Sequence, residues 1–585
     1  MAQARLRART ALAIFAVLSV ALFVRTWTAP STSFIGGPND PELESWFLRW
    51  MPWAISHGHN PLLTDHLDYP AGANLMWNVL LPLPGLLLWP VTALFGAVVS
   101  YNLLVTAGVA LTGWCAFLML RRWVRSDVAC LAGGLFFGFS PYVLAAAQLH
   151  PHVAIAASAP LFVLLLDDVL VRRPRAAWRT GALLGLLASA QFLLGQELLA
   201  DEVVAAAVLV AVLAALWPQR AREAVPQVLQ AGAVALVVFA VICAYPLGVQ
   251  LFGAQRPPSP LQPADVYEMD LLNPVVPTPF LAVSPAAALN VSRRFSGNAA
   301  EWGGYLGVPL LLLCAWTVAR CRGTTAVRVA ALVAPVIAVF SLGPRLHVAG
   351  TDTGVPLPWR AVSSLPVLSD ILPDRLAVFV ALAVALLVAV FVERVLLAPS
   401  TRRLAAAALL TLAVLTVAPE LPFASTAADV PGFFHNQELL DRVPEGSVAL
   451  VLPWAHYRNN DAMLWQSAAN MRFRMPEGYV YVPGPRGEAI NVLTTATSQA
   501  VDTVVDGGDS DTVAAEHGDV IRAELKGWQV RSVLVGPMRN EQAVVRLMTA
   551  ILGRSPQSTG GVLAWFDVDL SSVALRPARG VPQER

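Results

Sequence analysis

The chain has 585 residues, of which 56% are apolar and 14% are charged, and its mean hydropathy is +0.59. A soluble domain carries about 25% charged residues, so this chain lacks the polar surface of a soluble multidomain enzyme or a disordered protein. The formal net charge of +1 provides no basic surface for nucleic acid. The composition therefore predicts an integral membrane protein.

A helix needs about 20 mostly apolar residues to cross a bilayer. The sequence contains about eleven such runs, at 10–27, 99–120, 127–147, 152–171, 179–198, 201–217, 228–248, 303–320, 325–343, 375–396 and 403–419. We interpret the first run as a retained anchor, because it has no clear small-residue cleavage site, although a signal peptide has a similar outline. The proline-rich run Leu80–Val99 is interpreted as a re-entrant or interfacial helix.

The placement of arginine gives the expected orientation, because short basic loops stay on the cytoplasmic side. With these spans, the N-terminus and the short basic connectors all fall on one side; the connectors lie at 121–125, 172–179, 219–222, 320–328 and 394–403. The longer polar segments then lie outside. We therefore predict a multi-pass protein of the bacterial plasma membrane with a cytoplasmic N-terminus.

Two regions follow from this pattern. Residues 1–420 are predicted to form a helical transmembrane domain, with a long first exterior loop at 29–78. Residues 421–585 alternate β-rich and helical runs between turn signals, and about 165 residues can bury a core of their own. This tail is predicted to be an extracytoplasmic α/β domain. Its aromatic and amide pairs, such as Trp465-Gln466 and Gly478-Tyr479, fit either a carbohydrate site or the core of the domain.

The first exterior loop carries three acids, Asp40, Glu42 and Glu44, a short distance beyond the first span, with tryptophans at helical spacing behind them. An interfacial amphipathic helix explains the tryptophans. It explains Asp40 less well, since this acid stands between two prolines near the membrane surface. Burial there raises a carboxyl pKa toward the range of a general base.

Histidine is concentrated in two places. His57 and His59 lie in the first loop, and His150 and His152 flank a proline at the end of the third span. A His-x-His pair ligates zinc or another divalent ion only with further ligands, here the first-loop histidines or Asp65. Contact with a phosphate or an acceptor and a plain helix cap are the other interpretations.

Two further charges stand at span ends. Glu197 follows directly from an apolar span, and ionisable groups at membrane depth are costly enough to suggest a function, although a short hairpin needs polar residues in any case. Arg375 opens a late span, so its guanidinium and the nearby helix amides could bind phosphate. Snorkelling of this arginine to the interface is the competing interpretation.

The order of these features resembles the GT-C superfamily of membrane glycosyltransferases, and more specifically an actinobacterial group of GT-C-like membrane proteins. The matching motifs are Asp40…Trp46-Phe47-Leu48-x-Trp50, His57-Gly58-His59-Asn60-Pro61-Leu62, Tyr69-Pro70-x-Gly72-x-Asn74-Leu75-Met76-Trp77-Asn78, Gly138-Phe139-Ser140-Pro141-Tyr142 and Gln191-Phe192-Leu193-Leu194-Gly195-Gln196-Glu197. The resemblance covers most of residues 10–420 in layout, and its motifs are dense in the first 200 residues.

The resemblance implies an inverting glycosyltransferase that moves a sugar from a polyprenyl-phosphate donor to an envelope glycan, lipid or protein acceptor on the outer face of the membrane. It implies that Asp40 is the general base, with Glu42 and Glu44 as alternatives. Residues expected to contact substrate are His57, His59, His150, His152, Glu197 and Arg375. In that superfamily the second exterior turn often carries acids that contact a metal or the phosphate. Histidines replace these acids here, so we assign no metal ligand and no cofactor. Whether the protein binds a divalent metal ion is left open.

A second hypothesis is a non-catalytic membrane protein, either a transporter of lipid-linked glycans or an envelope-assembly or glycan-binding protein. Transporters usually carry charges in the centres of their spans and inverted repeats. The predicted span centres here are nearly free of charge, and the sequence shows no repeat. A family member that binds glycan without turnover has the same sequence features as an active one.

Overall fold

The structure is a computed structural model that describes residues 6–258, 260–262, 266–365, 367–398 and 401–570. Arg5 of the basic N-terminal segment and residues 571–585 of the predicted C-terminal domain lie outside the described residues. Within them the chain forms a bundle of apolar helices, with a small mixed sheet and its helices packed against the loops at one end.

Among the described residues, six helices are long and apolar enough to cross a membrane. They are Ala97–Leu120, Asp127–Ala146, Pro151–Arg172, Gln196–Leu216, Pro218–Phe252 and Pro373–Leu396. Six predicted spans fall on these helices. The other five fall on shorter helices, at Ala8–Leu22, Ala177–Phe192, Val308–Cys321, Thr325–Ser341 and Arg403–Val417. The chain is therefore a helical membrane protein, and the number of eleven spans stays a prediction.

The proline-rich run Leu80–Val99 is not one continuous helix. It forms the short helices Pro82–Leu87 and Trp89–Phe95, and each has a proline in its first turn, where a backbone N–H has no partner within the helix. Neither helix reaches the length of about 20 residues that a span requires. Leu87 and Phe95 are exposed, so the pair of helices presents an apolar surface beside the bundle.

The two ends of the bundle differ in their charges. Ala97–Leu120 begins beside the first loop, where Asn102 donates hydrogen bonds to two backbone carbonyl oxygens of that loop at 3.0 and 2.7 Å. The far end of this helix of 24 residues lies about 36 Å away. There Arg122 Nη1 contacts Asp168 Oδ1 at 2.6 Å. The first loop and the arginine-rich connectors therefore lie at opposite ends of the bundle.

The most buried span is Pro373–Leu396, which packs against Asp127–Gly138 and Thr325–Ser341. Arg375 lies in its first turn. Glu393 lies in its last turn and accepts hydrogen bonds from two backbone N–H groups of the connector after Ala97–Leu120, at 2.5 and 2.9 Å. This span thus links the first-loop end of the bundle to the arginine-rich end.

Close approach of two helices depends on glycine in Ala177–Phe192. Gly181 and Gly185 face Pro218–Phe252, and a Cβ placed on Gly185 would lie 2.6 Å from the carbonyl oxygen of Ala235. Glycines spaced four residues apart allow membrane helices to pack backbone to backbone. The same pattern therefore fixes the position of the otherwise exposed Pro218–Phe252.

The C-terminal part of the chain contains a four-stranded sheet. The strands stand in the order Gln557–Thr559, Val562–Trp565, Val530–Val535 and Val448–Leu452. Val530–Val535 pairs in parallel with Val448–Leu452 and antiparallel with Val562–Trp565. All five residues of Val448–Leu452 are buried, as expected for a parallel strand that is covered on both faces.

The two faces of this sheet contact different partners. Leu450 and its neighbours of the same face pack under the helices Ala496–Val505, Ser510–Gly527 and Glu541–Leu552. Val451, on the opposite face, belongs to the core that continues into the helical bundle. The sheet is therefore joined to the bundle through a shared apolar core rather than through a flexible tether.

A helix of the first loop forms much of this junction. The first-loop helix (Asp40–Ser56) packs against the helix Asp461–Ala468. Trp46 Nε1 donates to Gln466 Oε1 at 2.6 Å, and both side chains are fully buried. A buried indole N–H needs such an acceptor, so this bond fixes the first-loop helix beneath the C-terminal sheet.

The remaining elements are short. The helices are Val24–Trp27, Leu75–Trp77, Ala286–Ser292, Ala299–Glu301, Pro358–Ala361, Leu368–Asp370, Gly432–His435 and Gln437–Leu440. The strand pairs are Ser33–Ile35 with Ser425–Ala427, Leu63–Thr64 with Ala73–Asn74, Arg345–Val348 with Thr351–Pro356, and Val482–Pro483 with Ala489–Ile490.

Substituting Gly185→Ala is expected to destabilise the protein by about 1–3 kcal/mol, because the new methyl group must displace a backbone carbonyl of the neighbouring helix. Gly232→Ala, in Pro218–Phe252, is the matched control, since no atom lies within 4 Å of its added Cβ. Thermal unfolding of the detergent-solubilised variants measures the difference. Equal melting temperatures for the two variants would contradict the close packing.

Candidate active site

The first-loop helix begins at Asp40 because the sequence Asn39-Asp40-Pro41-Glu42 suits a helix N-terminus. Pro41 occupies the first turn, and the backbone N–H of Asn39 donates to Glu42 Oε2 at 2.7 Å. Acidic side chains are stabilised at this end by the helix dipole. The sequence thus places Asp40 at the start of the helix, beneath the C-terminal part of the chain.

His150 joins Asp40 to a second acid. It lies in the turn between Pro141–Ala146 and Pro151–Ala154, with Nδ1 at 2.8 Å from Asp40 Oδ2 and Nε2 at 3.2 Å from Glu301 Oε1. Burial alone would lower the pKa of His150, but Glu301 and Asp40 outweigh it and raise the pKa to about 9. The imidazole therefore carries a positive charge at neutral pH.

Arg375 continues the contacts from Glu301. Nη2 of the guanidinium lies 2.5 Å from Glu301 Oε1, and Nε lies 3.2 Å from Oε2. The third nitrogen, Nη1, contacts Glu197. The side chain of Arg375 is only 6% exposed, whereas that of Glu197 is 39% exposed. Arg375 is thus held on two sides, and its partner Glu197 reaches the solvent-accessible side of the site.

His152 closes the group. Its Nδ1 lies 3.0 Å from Glu44 Oε1, and its Nε2 lies 3.9 Å from Glu197 Oε2. Burial raises the pKa of Glu44, while the hydrogen bond from His152 acts against this rise. Seven side chains thus form one connected set, which we call the polar cluster: Asp40, Glu44, His150, His152, Glu197, Glu301 and Arg375.

Six of the nine residues predicted from the sequence belong to the polar cluster. They are Asp40, Glu44, His150, His152, Glu197 and Arg375. Each stands in the first loop or at the end of a helix on the same side of the bundle, which is why a topology argument could group them. Their chemical roles stay predictions.

Glu42, predicted as an alternative base, points elsewhere. Its carboxyl group is buried against the N-terminus of its own helix, where it accepts the hydrogen bond from Asn39. Asp461 of the C-terminal part is a charged neighbour. Since no contact links Glu42 directly to the polar cluster within the described residues, its position fits a helix cap better than a base.

The structure does not bring His57 and His59 to the polar cluster. They follow the C-terminal end of the first-loop helix, whose 17 residues separate them from Asp40 by about 25 Å. Both rings stack on Trp53, with ring centroids 4.5 and 5.2 Å away. Contact of these two histidines with substrate stays a prediction, and the structure places them at the opposite end of the first-loop helix from Asp40.

Glu301 is the cluster residue that sequence reasoning missed. It ends the short helix Ala299–Glu301, just before the span that begins near residue 303, and its side chain is buried. The signal was an acid next to the end of a span, on the same side of the bundle as Asp40. The same signal singled out Glu197.

Three tyrosine hydroxyl groups lie within electrostatic range of Asp40. Tyr267 comes from the second long loop, and Tyr479 and Tyr481 come from the C-terminal part of the chain. Burial raises the pKa of each hydroxyl, and the charge of Asp40 contributes to each rise. The side chain of Gln262 contacts the hydroxyl of Tyr481. Three phenol groups thus share the electrostatic surroundings of Asp40, whose side chain is 22% exposed.

The other aromatic residues of the C-terminal part have a different role. Trp454 and Trp465 are buried in its core, and Trp465 Nε1 donates to the carbonyl oxygen of Asp429 at 2.8 Å. Of the pairs singled out in the sequence, Gly478-Tyr479 is therefore the one that lies near Asp40.

Further acids lie deeper, beneath Arg375. Asp201, Glu202 and Asp374 are all buried, and Ser158 Oγ lies 2.5 Å from Glu202 Oε1. Asp201 Oδ2 and Asp374 Oδ1 have no hydrogen-bond partner among the described residues.

An apolar cavity of about 600 Å³ opens between the helices next to the polar cluster. Its lining includes Tyr142, Gly303 and Ala377, together with side chains of Val308–Cys321 and Thr325–Ser341. Gly303 and Ala377 each stand two residues after a cluster member, Glu301 and Arg375 respectively. The cavity therefore begins beside the polar cluster and continues among the apolar helices.

Comparison with known proteins identifies the family. Residues 8–418 match the family model described as a domain of unknown function, DUF6311, and the chain belongs to this family. No curated protein sequence matches the chain.

Solved structures show the fold. Arabinofuranosyltransferase AftD from Mycobacteria is similar with a TM-score of 0.54 and 15% identity, over 97% of this chain and 40% of that one. Oligosaccharyltransferase AglB from Archaeoglobus fulgidus, in complex with an inhibitory peptide and a dolichol-phosphate, gives 0.52 and 11%, over 94% and 71%. Its complex with zinc and sulfate gives 0.50 and 12%, over 90% and 68%.

The chain therefore shares the overall fold of these two transferases, and the predicted fold is confirmed at that level. The chain spans less than half the length of the mycobacterial enzyme. The closer resemblance to an actinobacterial group stays a prediction.

Glu42 gives a testable pH dependence. Burial raises its pKa from 4.5 to about 7, so the folded chain holds this proton more tightly than the unfolded chain. Stability is therefore lost as pH rises between these values, by up to about 3 kcal/mol. Glu42→Gln is expected to flatten the dependence of the melting temperature on pH between about pH 5 and about pH 8.

The exposed Glu438 supplies the control variant Glu438→Gln, which should keep the wild-type pH profile. A Glu42→Gln profile that coincides with the wild type would show that Glu42 is not the titrating group.

Proposed function

We propose that the chain is an inverting glycosyltransferase that moves a sugar from a polyprenyl-phosphate donor to an acceptor hydroxyl on the outer face of the membrane. The carrying observation is the juxtaposition of the polar cluster and the apolar cavity. An acid that can act as base, a buried arginine and a lipid-sized apolar space occur together at one end of the bundle.

The cavity and Arg375 suit the two halves of the donor. An apolar space among membrane helices accepts a polyprenyl chain, and a guanidinium binds phosphate oxygens through charge-assisted hydrogen bonds. Nη1 of Arg375 is the edge that Glu197 contacts. Because Glu197 is partly exposed, its carboxylate can turn toward water and leave this edge to the donor phosphate.

Asp40 suits the acceptor side. The acceptor oxygen attacks the anomeric carbon and its proton passes to Asp40, while the bond between that carbon and the phosphate oxygen breaks. The polyprenyl phosphate leaves with the bonding electrons and one more negative charge than it had in the donor. A phosphate leaves without protonation, so one carboxylate suffices, unlike the pair that glycoside hydrolases use.

The position of the arginines supports the outer face. The polar cluster lies at the first-loop end of Ala97–Leu120, and the connectors with Arg122 lie at the other end. Short basic loops stay in the cytoplasm. The cluster then faces the cell exterior, where acceptors of the envelope are found; an envelope glycan, lipid or protein meets the requirement for a hydroxyl group.

Asp40→Asn is expected to lower the rate of sugar transfer by about 10²–10⁴-fold, because the amide cannot accept the acceptor proton. Transfer from a radiolabelled polyprenyl-phosphate sugar to endogenous acceptors in membranes measures the rate. Asp519→Asn, at an exposed acid of the C-terminal part, is the matched control and should keep the wild-type rate.

Undiminished transfer by Asp40→Asn would remove Asp40 as the base. A non-catalytic transporter would instead carry a fluorescent polyprenyl-linked sugar across the bilayer of proteoliposomes. The Asp40→Asn variant would leave the lipid-linked sugar intact whether the protein is a transferase or a transporter.

Arg375→Lys keeps the charge but loses the planar two-sided contact with Glu301. We expect donor binding to weaken by about 10–100-fold, corresponding to about 1.5–3 kcal/mol for a hydrogen bond to a charged group. The Michaelis constant for the donor and the melting temperature are measured together. A loss of stability with an unchanged Michaelis constant would assign Arg375 a structural role alone.

A further inference from the structure

Two carboxyl groups of the polar cluster, those of Asp40 and Glu301, already have basic partners within the protein. Asp40 lies 2.8 Å from His150, and Glu301 lies 3.2 Å from the other ring nitrogen of the same histidine. Glu301 also accepts two hydrogen bonds from Arg375. Acid, imidazole, acid and guanidinium therefore alternate along a continuous path of side chains.

His150 holds the centre of this path. Both of its ring nitrogens face carboxylate oxygens, Nδ1 at 2.8 Å from Asp40 Oδ2 and Nε2 at 3.2 Å from Glu301 Oε1, so the ring stands between two negative charges. Asp40 and Glu301 also raise the pKa of this group to about 9. A protonated imidazole has no lone pair for a metal ion, since metal ligands must be deprotonated.

The contacts of Asp40 and Glu301 therefore do not fit a divalent cation of the kind that the family resemblance allows, held between these two acids. Magnesium or manganese requires free carboxylate oxygens, and zinc requires neutral imidazole or thiolate ligands. In the part of the chain that the structure describes, no group of three or more His, Cys, Asp or Glu side chains is arranged to hold a metal ion. A metal at Asp40 and Glu301 would have to displace both protein cations.

We propose that this site works without a divalent metal, because His150 and Arg375 supply the positive charges that Asp40 and Glu301 would otherwise take from a metal ion. This inference rests on the proposed transfer reaction for its chemical meaning. In that reaction Arg375 faces the phosphate as its charge grows, and His150 is a positioning residue that holds the carboxyl group of Asp40 through their contact at 2.8 Å. Such fixed charges stabilise a developing anion without reorganisation.

The test is a gain of metal binding in the full-length protein in detergent. His150→Asp places a third carboxylate between Asp40 and Glu301 and removes the cation that joins them. We expect this variant to bind Mn²⁺ at least about tenfold more tightly than the wild type by isothermal titration calorimetry, and Mn²⁺ to raise its melting temperature. His150→Asn has the same shape without the added charge and should gain neither property.

The wild-type protein supplies the test that needs no variant. We expect purified protein to contain no stoichiometric metal by elemental analysis and to keep its melting temperature when EDTA is added. One tightly bound Mn²⁺ or Zn²⁺ per wild-type chain would overturn the inference. A folded His150→Asp variant that binds Mn²⁺ no better than the wild type would also overturn it.

Transfer assays separate this inference from the proposed function. If the wild type transfers sugar at the same rate with and without EDTA, both stand. Transfer that stops in EDTA and returns with Mn²⁺ overturns the inference and leaves the glycosyltransferase in place. Absence of transfer, with a metal-free wild type and a metal-binding His150→Asp variant, overturns the function and leaves the assignment of charges in place.

Discussion

Charge pairing in a poorly hydrated place is the constraint on which the rest of this structure depends. Arg375 and Glu301 are almost fully buried, and His150 is largely so. An unpaired buried charge costs several kcal/mol, and removing one partner of a buried pair typically costs about 3–5 kcal/mol. These side chains belong to separate segments of the chain, so each charge is paired only when all of these segments are packed together. The polar cluster is thus a structural junction as well as a chemical site.

The C-terminal part of the chain completes this junction. Asn460 Nδ2 donates to the carbonyl oxygen of Asn39 at 2.9 Å, directly beside Asp40. Gln466 accepts from Trp46 and donates to the carbonyl oxygen of His66, so it holds two parts of the first loop at once. With one face of its sheet in the core of the bundle, this part limits the access of water to Asp40.

Exclusion of water strengthens every charge interaction below the C-terminal part. The pKa of His150 rises in spite of burial, which shows that the neighbouring carboxylates dominate over the cost of desolvation. The side chain of Asp40 is 22% exposed, so it has an accessible side. In the proposed reaction an acceptor enters from this side, while the donor tail lies among the helices on the other.

The sequence predicted most residues of the polar cluster, but it did not predict which candidate residues lie outside the cluster. Composition and arginine placement predicted a helical membrane protein with its polar loops at one end, and this topology grouped Asp40, His150, Glu197 and Arg375. The same spacing of tryptophans that predicted a helix in the first loop also separates His57 and His59 from Asp40, because a continuous helix lies between them. Local patterns predict elements, whereas distance along an element decides which residues meet.

Glu301 shows the opposite case, in which local pattern gave too little. A single acid before a span has no motif, and its importance comes from partners that lie 74 and 151 positions away, Arg375 and His150. These contacts set the geometry of the site. Asp40 contacts one side of His150, and Arg375 contacts Glu301. His150 and Glu301 therefore lie between Asp40 and Arg375. A base and a phosphate-binding group that are separated in this way can address opposite faces of a sugar. Inversion requires that arrangement, since the acceptor oxygen must approach the anomeric carbon from the side opposite to the departing phosphate.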